Sequence, residues 1–187
     1  MKREIRALYT ESTIRVYQAY NRGIAEEAVK KGTFGSSFNM NRMTWIKPSF
    51  LWMMYRCGWA AKQNQEHVLA IDMKRDAFDF IVQNAIHSTY NSGMHISREE
   101  WKEQVKNSDI RCQWDPERDL FGNPLEYRSI QLGLRGTAVQ KYVEEWIVKI
   151  TDITDYVREL NEQRIQGRDV SLLLPEERIY IVNGESI

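Results

Sequence analysis

The sequence predicts a mixed α+β fold built as a single domain over residues 1–187, with several short strands and interspersed helices. Three observations lead there. The apolar run VLAIDM (residues 68–73) is followed directly by Ala77, Phe78, Ile81, Val82 and Ala85 at helical spacing. The same alternation returns in the last third, where SIQLGL (residues 129–134) and WIVKIT (residues 146–151) each precede a helical pattern. No internal repeat or low-complexity tract interrupts this order, and 187 residues suit one domain with a real core.

The elements follow in turn. Ile5, Ala7 and Tyr9, then Ile14, Val16 and Gln18, alternate in the manner of a hairpin turning near Glu11 and Ser12. Asn21 is suited to cap a helix carrying Ile24, Ala25, Ala28 and Val29, which Gly32 stops. A loop at Gly35, Ser36 and Ser37 leads to a short strand over residues 43–46, and Pro48 suits a first helical position. Phe50, Met53, Met54 and Cys57 share one helical face, with Gly58 as the stop. Ser97 and Glu100 form a capping box ahead of Trp101 and Val105. WDPERD (residues 114–119) and FGNP (residues 121–124) read as one long turn-rich loop. Gly136 and Thr137 open a short helix through Val139, Tyr142 and Val143. Ile153, Tyr156, Val157 and Leu160 face inward from another helix, and VSLLL with RIYIV reads as a closing hairpin around Pro175.

Composition narrows the function classes. Twenty-six lysines and arginines balance 26 aspartates and glutamates, so no global field draws the chain onto duplex nucleic acid or an anionic membrane. Cys57 and Cys112 stand alone, which gives no disulfide framework, no CxxC site and a reducing compartment as the expectation. The opening MKREIRALYT lacks an apolar signal region, and no apolar run approaches the ~20 residues that span a bilayer, so a soluble cytoplasmic protein without a membrane partner is expected. Signatures of the GxGxxG, Walker, HExxH and GxSxG types are missing. His67, His87 and His95 do not fall at metal-ligand spacing, so no metal is expected.

The most informative segment is RMTWIKPSFLWMMYRCGWAAK (residues 42–62), which holds three of the six tryptophans together with Arg42, Lys47, Arg56 and Lys62. Aromatic faces stack on a planar ring while lysine and arginine meet phosphate or carboxylate, so this mixture suits an anionic, nucleotide-like ligand. Lys47 and Arg56 are the first candidate anion contacts, Trp45 and Trp52 the candidate stacking walls, and Trp59 a third. Arg42 and Thr44 meet phosphate if they line the same cleft. Gln131, on a core strand, needs a partner if it points inward, which makes it a structural node or a ligand contact. Against these readings stands plain core packing, the stronger one for Phe50, Met53 and Met54.

Two stretches resemble ADP-ribosyltransferase-like domains. VYQAYNRGIAEEAVKKGTF (residues 16–34) is similar to their first strand and helix, with Gln18 where the family carries His or Arg. EEWIVKITDIT, from Glu144, is similar to the EYIVYD stretch of poly-ADP-ribose polymerases, and Glu145 matches the glutamate that orients the nicotinamide ribose. The resemblance implies an ADP-ribosyltransferase-like fold, nicotinamide adenine dinucleotide (NAD) as cofactor, and Glu145 as the catalytic carboxylate stabilising an oxocarbenium-like ribosyl cation. A broader likeness runs through RMTWIKPSFLWMMYRCGWA, VLAIDM, WDPERD, YRSIQLGL and EEWIVKITDIT, which together resemble a bacterial and fungal family of unknown function with the signature WIKPSFLWMMYRSGW. Cys57 stands at the serine of that signature.

Three functions remain open on sequence. The first is an ADP-ribosyltransferase-like enzyme that binds NAD and transfers ADP-ribose to an unknown acceptor, which requires a cleft shared by Gln18, Lys47 and Glu145. The second is a non-catalytic nucleotide or single-stranded nucleic-acid binding module stacking on Trp45, Trp52, Tyr55 and Trp59. The third is an interaction protein that uses the aromatic and basic patch as its interface.

Overall fold

The computed structural model describes residues 2–91 and 93–182. Its strands are β1 (Lys2–Arg3), β2 (Arg6–Ala7), β3 (Thr13–Tyr20), β4 (Thr44–Ile46), β5 (His67–Lys74), β6 (Ile86–His87), β7 (Ile110–Arg118), β8 (Pro124–Leu134), β9 (Ile147–Asp152) and β10 (Arg178–Ile179). Its α-helices are α1 (Arg22–Lys31), α2 (Phe50–Cys57), α3 (Arg75–Gln83), α4 (Arg98–Asn107), α5 (Gly136–Lys141) and α6 (Thr154–Ile165), so the fold is α+β. A π-helical turn (Tyr142–Trp146) joins α5 to β9.

The larger sheet has the order β1-β8-β7-β6, and β4 pairs antiparallel with the end of β8. A second, antiparallel sheet runs β3-β5-β9. The central strand β5 explains the unbroken VLAIDM run. Leu69, Ile71 and Met73 enter one core, shared with Ile130, Leu132 and Leu134 of the larger sheet. Val68 and Ala70 enter a second core beneath α2 and α6, with Tyr17, Phe50, Met53, Met54, Val157 and Leu160. A strand buried on both faces has no polar side to alternate with.

Local chemistry sets the two helices that border the site. Asn21 accepts a hydrogen bond from the Ile24 amide at 3.1 Å and caps α1, and Gly32 closes it in the left-handed region. Ser49 caps α2 by accepting from the Trp52 amide at 3.2 Å, so Pro48 lies one residue ahead of the cap and not at the first helical position. Gly58 ends α2 with φ 60°, and Trp59 and Ala60 continue the left-handed path with φ 55° and 64°. Such a run in non-glycine residues costs roughly 1–2 kcal/mol each, and it turns the chain back so that residues 63–65 face the mouth of a cleft.

Two other expectations are corrected. WDPERD is not a loop, because Trp114 to Arg118 continue β7 and only Asp119 to Asn123 turn. Pro116 is accommodated because the β7–β8 register shifts between Pro116 and Arg118, and a bulge frees the chain from the amide that proline lacks. The chain does not close on a hairpin around Pro175. Ser171–Leu173 form a 3₁₀ turn with Leu172 exposed, and β10 pairs instead with β2, Arg178 opposite Ala7. Among the described residues no helix is long and apolar enough to cross a membrane.

Candidate functional site

β3 and β4 belong to different sheets, and where they meet the fold opens. The Tyr17 amide donates to the Lys47 carbonyl at 2.7 Å, which holds the segment after β4 against β3. Beside this junction lies a cleft of about 800 Å³. Its walls come from the end of β3 (Gln18, Tyr20), from Asn21 and Ile24 of the α1 region, and from the loop carrying Phe38, Asn39, Arg42 and Met43. Thr44, Trp45 and Lys47, Met53 and Arg56 of α2, residues 63–65, and Gln113 and Gln131 of β7 and β8 complete it.

A hydrogen-bond knot fixes the floor. Gln18 is buried, donates to Thr44 Oγ1 at 2.6 Å and to Tyr20 Oη at 2.8 Å, and accepts from Tyr142 Oη at 2.9 Å. Its capacity goes to holding β3, β4 and the π-helical turn together, as a buried amide requires. Gln113 and Gln131 are cross-strand neighbours. Each donates to a different oxygen of Asp115, at 2.9 and 2.7 Å. Asp115 therefore orients two amides that line the cleft while standing behind them.

Lys47 is the most perturbed group at the cleft. It is 7% exposed, its Nζ donates to the Trp45 carbonyl at 3.3 Å and lies 5.5 Å from the centre of the Trp52 ring. No ion pair among the described residues includes it. Burial, reinforced by the Arg56 charge, pulls its ammonium down to about 7, against a smaller opposing pull from Asp115. Arg42 and Arg56 are exposed at the rim. Three cations thus line the cleft, and no carboxylate does among its described lining residues.

Gln18, Arg42, Thr44, Trp45, Lys47, Arg56 and Gln131 are all brought to this one cleft, from three strands, the segments on either side of β4 and a helix. Trp52 is 8% exposed and stands behind Lys47 and not in the lining. Glu145 does not join them. It is exposed on the π-helical turn whose Tyr142 reaches Gln18 from the core side. Tyr55 and Trp59 line a separate small cavity of about 190 Å³ with Phe121 and Arg164. Sequence reasoning missed the amides, namely Asn21 beyond its capping role, Asn39, Gln63, Asn64, Gln65 and Gln113. The QNQ run between α2 and β5 was the available signal.

Away from the cleft, two carboxylates crowd the start of α2. Glu177 accepts from the Phe50 amide at 2.7 Å, and burial, with the Glu117 charge adding to it, raises its carboxyl to about 8. Glu117 is buried and also raised, chiefly by burial. Among the described residues no group of three or more His, Cys, Asp or Glu side chains is placed to hold a metal ion.

The domain of unknown function DUF4291 matches residues 4–180, and the chain belongs to that family. Comparison with curated proteins gives no match.

Proposed function

We propose that the cleft between β3 and β4 binds a planar, anionic small molecule of nucleotide type, with NAD as the first ligand to test. One observation carries this reading, a cavity of about 800 Å³ lined by Arg42, Lys47 and Arg56 with no lining carboxylate among the described residues. That volume lies within the roughly 300–1,000 Å³ of ligand pockets. Trp45, Tyr20 and Phe38 supply aromatic surface, and the amides supply donors and acceptors suited to a base edge or sugar hydroxyls.

The geometry favours binding over ADP-ribose transfer. Transfer requires Glu145 to reach the bound ribose, whereas this residue is exposed outside the cleft lining. A single-stranded nucleic acid is less favoured than a small molecule, because the aromatic set is divided. Trp45 lines the cleft, Trp52 is buried, and Tyr55 and Trp59 border the other cavity, so they make no continuous stacking platform.

The test is calorimetric titration with NAD of the wild type, Arg56→Ala and Glu145→Ala, with free nicotinamide followed in parallel. Binding that weakens at least ~10-fold in Arg56→Ala is expected, in line with the roughly 1.5–3 kcal/mol of a charge-assisted contact. Nicotinamide release by the wild type that disappears in Glu145→Ala would add the transferase step. No heat with NAD or with other adenine nucleotides across a wide concentration range overturns the nucleotide reading.

A further inference from the structure

We propose that Lys47 is a reactive amine, which condenses with the carbonyl group of an anionic aldehyde or ketone held in the cleft. The inference deepens the cleft assignment and rests on that cleft taking anions, but it does not require the anion to be a nucleotide.

The environment of Nζ carries the argument. A buried lysine ordinarily meets a carboxylate, because an unpaired ammonium is expensive away from water. Lys47 has a single carbonyl acceptor at 3.3 Å and an indole face at 5.5 Å. The nearby charges are Arg56 on α2, which opposes protonation, and Asp115 on β7, which favours it and is already held by two glutamine donors. The Cys57 thiol, which donates to the Met54 carbonyl, is within electrostatic reach of the amine, and its own ionisation is disfavoured by burial. A desolvated lysine beside another cation is an activated nucleophile. It also borders a cavity large enough for a reactant, and Arg42 and Arg56 sit at the rim to hold that reactant's anionic group.

The step balances without a redox partner. The Nζ lone pair forms a C–N bond to the carbonyl carbon, and the carbonyl π pair moves to oxygen. Oxygen takes a proton, and loss of one water gives the imine. Hydrolysis reverses the step. Burial sets the selectivity. Pulled down to about 7 by burial, Lys47 carries far more neutral amine at neutral pH than an ordinary surface lysine near 10.4, which is neutral in about 0.04% of molecules.

The experiment treats the full chain with equimolar pyridoxal 5′-phosphate, reduces the imine with borohydride and maps the label by peptide mass spectrometry. Lys47 is expected to be labelled at least ~10-fold faster than any other lysine, and pyridoxal lacking the phosphate is expected to label it several-fold more slowly. In Lys47→Arg, which keeps a cation, the fast label should vanish while the slow surface label persists. Label spread over surface lysines with Lys47 unmodified, or equal rates with and without the phosphate, overturns the inference. Nucleotide binding measured by calorimetry on the wild type keeps the two readings apart. NAD binding without Lys47 labelling sinks the reactive amine alone, and Lys47 labelling without nucleotide binding supports the amine while sinking the nucleotide.

Discussion

At the scale of single residues, two desolvated titratable groups, half-buried Glu177 and buried Lys47, pull stability in opposite directions along the pH axis. Glu177 has its carboxyl raised from 4.5 to about 8, first by burial and then by Glu117. Between those values the folded chain keeps a proton that the unfolded chain has released, so stability falls as pH rises through the window. Lys47 behaves oppositely. Its ammonium is lowered from 10.5 to about 7, the unfolded chain holds the extra proton, and stability rises with pH across that interval. Between pH 5 and 7 Glu177 and the likewise raised Glu117 act in the first direction and outnumber His87, whose imidazole burial holds below its usual value of 6.5 and which acts in the second. The melting temperature is therefore expected to fall from pH 5 to 7, with a slope of up to about 1.4 kcal/mol per pH unit for each proton involved. Glu177→Gln should flatten that fall, as thermal denaturation at a series of pH values would reveal. An unchanged slope would mean that Glu177 titrates as an ordinary carboxylate. Residue chemistry was legible where it rests on type and neighbours, as for Lys47 with Arg56 and Trp45. The Glu117 and Glu177 pair was not, because the two lie 60 positions apart by number and meet only through tertiary packing against α2.

Among the elements, helices were the most readable, since a cap and a stop are local chemistry. Asn21 and Gly32 bracket α1, and both halves of the Ser97 and Glu100 capping box are present in α4. Strands were legible through their apolar runs but their limits were not. The sequence reading missed β7 and shortened β8, because Pro116 and the turn residues at the β7–β8 junction suppress the strand pattern while the ladder passes them through a bulge. β8 also shows how one strand position reaches the site. A Cβ built on Gly133 would lie 2.7 Å from Met43 Sδ and 3.0 Å from the Trp45 indole. Met43 and Trp45 both line the cleft. Gly133→Ala is expected to push this wall inward, costing about 1–3 kcal/mol of stability as an overpacked site does and weakening NAD binding. Denaturant unfolding beside calorimetry would test it, and unaltered affinity would place Trp45 outside the ligand contacts.

For the whole molecule, a balance of 26 positive and 26 negative side chains leaves the three cleft cations as a local feature. Affinity for a small anion should decline with added salt, while affinity for duplex DNA at physiological ionic strength should be negligible because the chain carries no net positive charge to draw it to the phosphate backbone. Fluorescence anisotropy with labelled duplex and competing nucleotide would check both, and tight, salt-sensitive duplex binding would refute the small-molecule assignment. Part of the cleft was recognisable as a group because Arg42, Thr44, Trp45, Lys47 and Arg56 come from one continuous segment. That Glu145 lies outside the cleft lining was not legible, because a match of local pattern carries no information about which side of a helix turn faces the interior. The pairing of β10 with β2 has its own meaning for the order in which the protein acquires its structure. Its paired residues lie as far apart as Arg6 and Ile179, so the entropy of closing so long a loop must be met before they contribute. The clasp is therefore expected to form last and to open first, which amide hydrogen exchange at Arg178 and Ile179 would check. The two sheets and the cleft between them can assemble before Glu177 docks on α2, which makes the clasp a late lock on an architecture already in place.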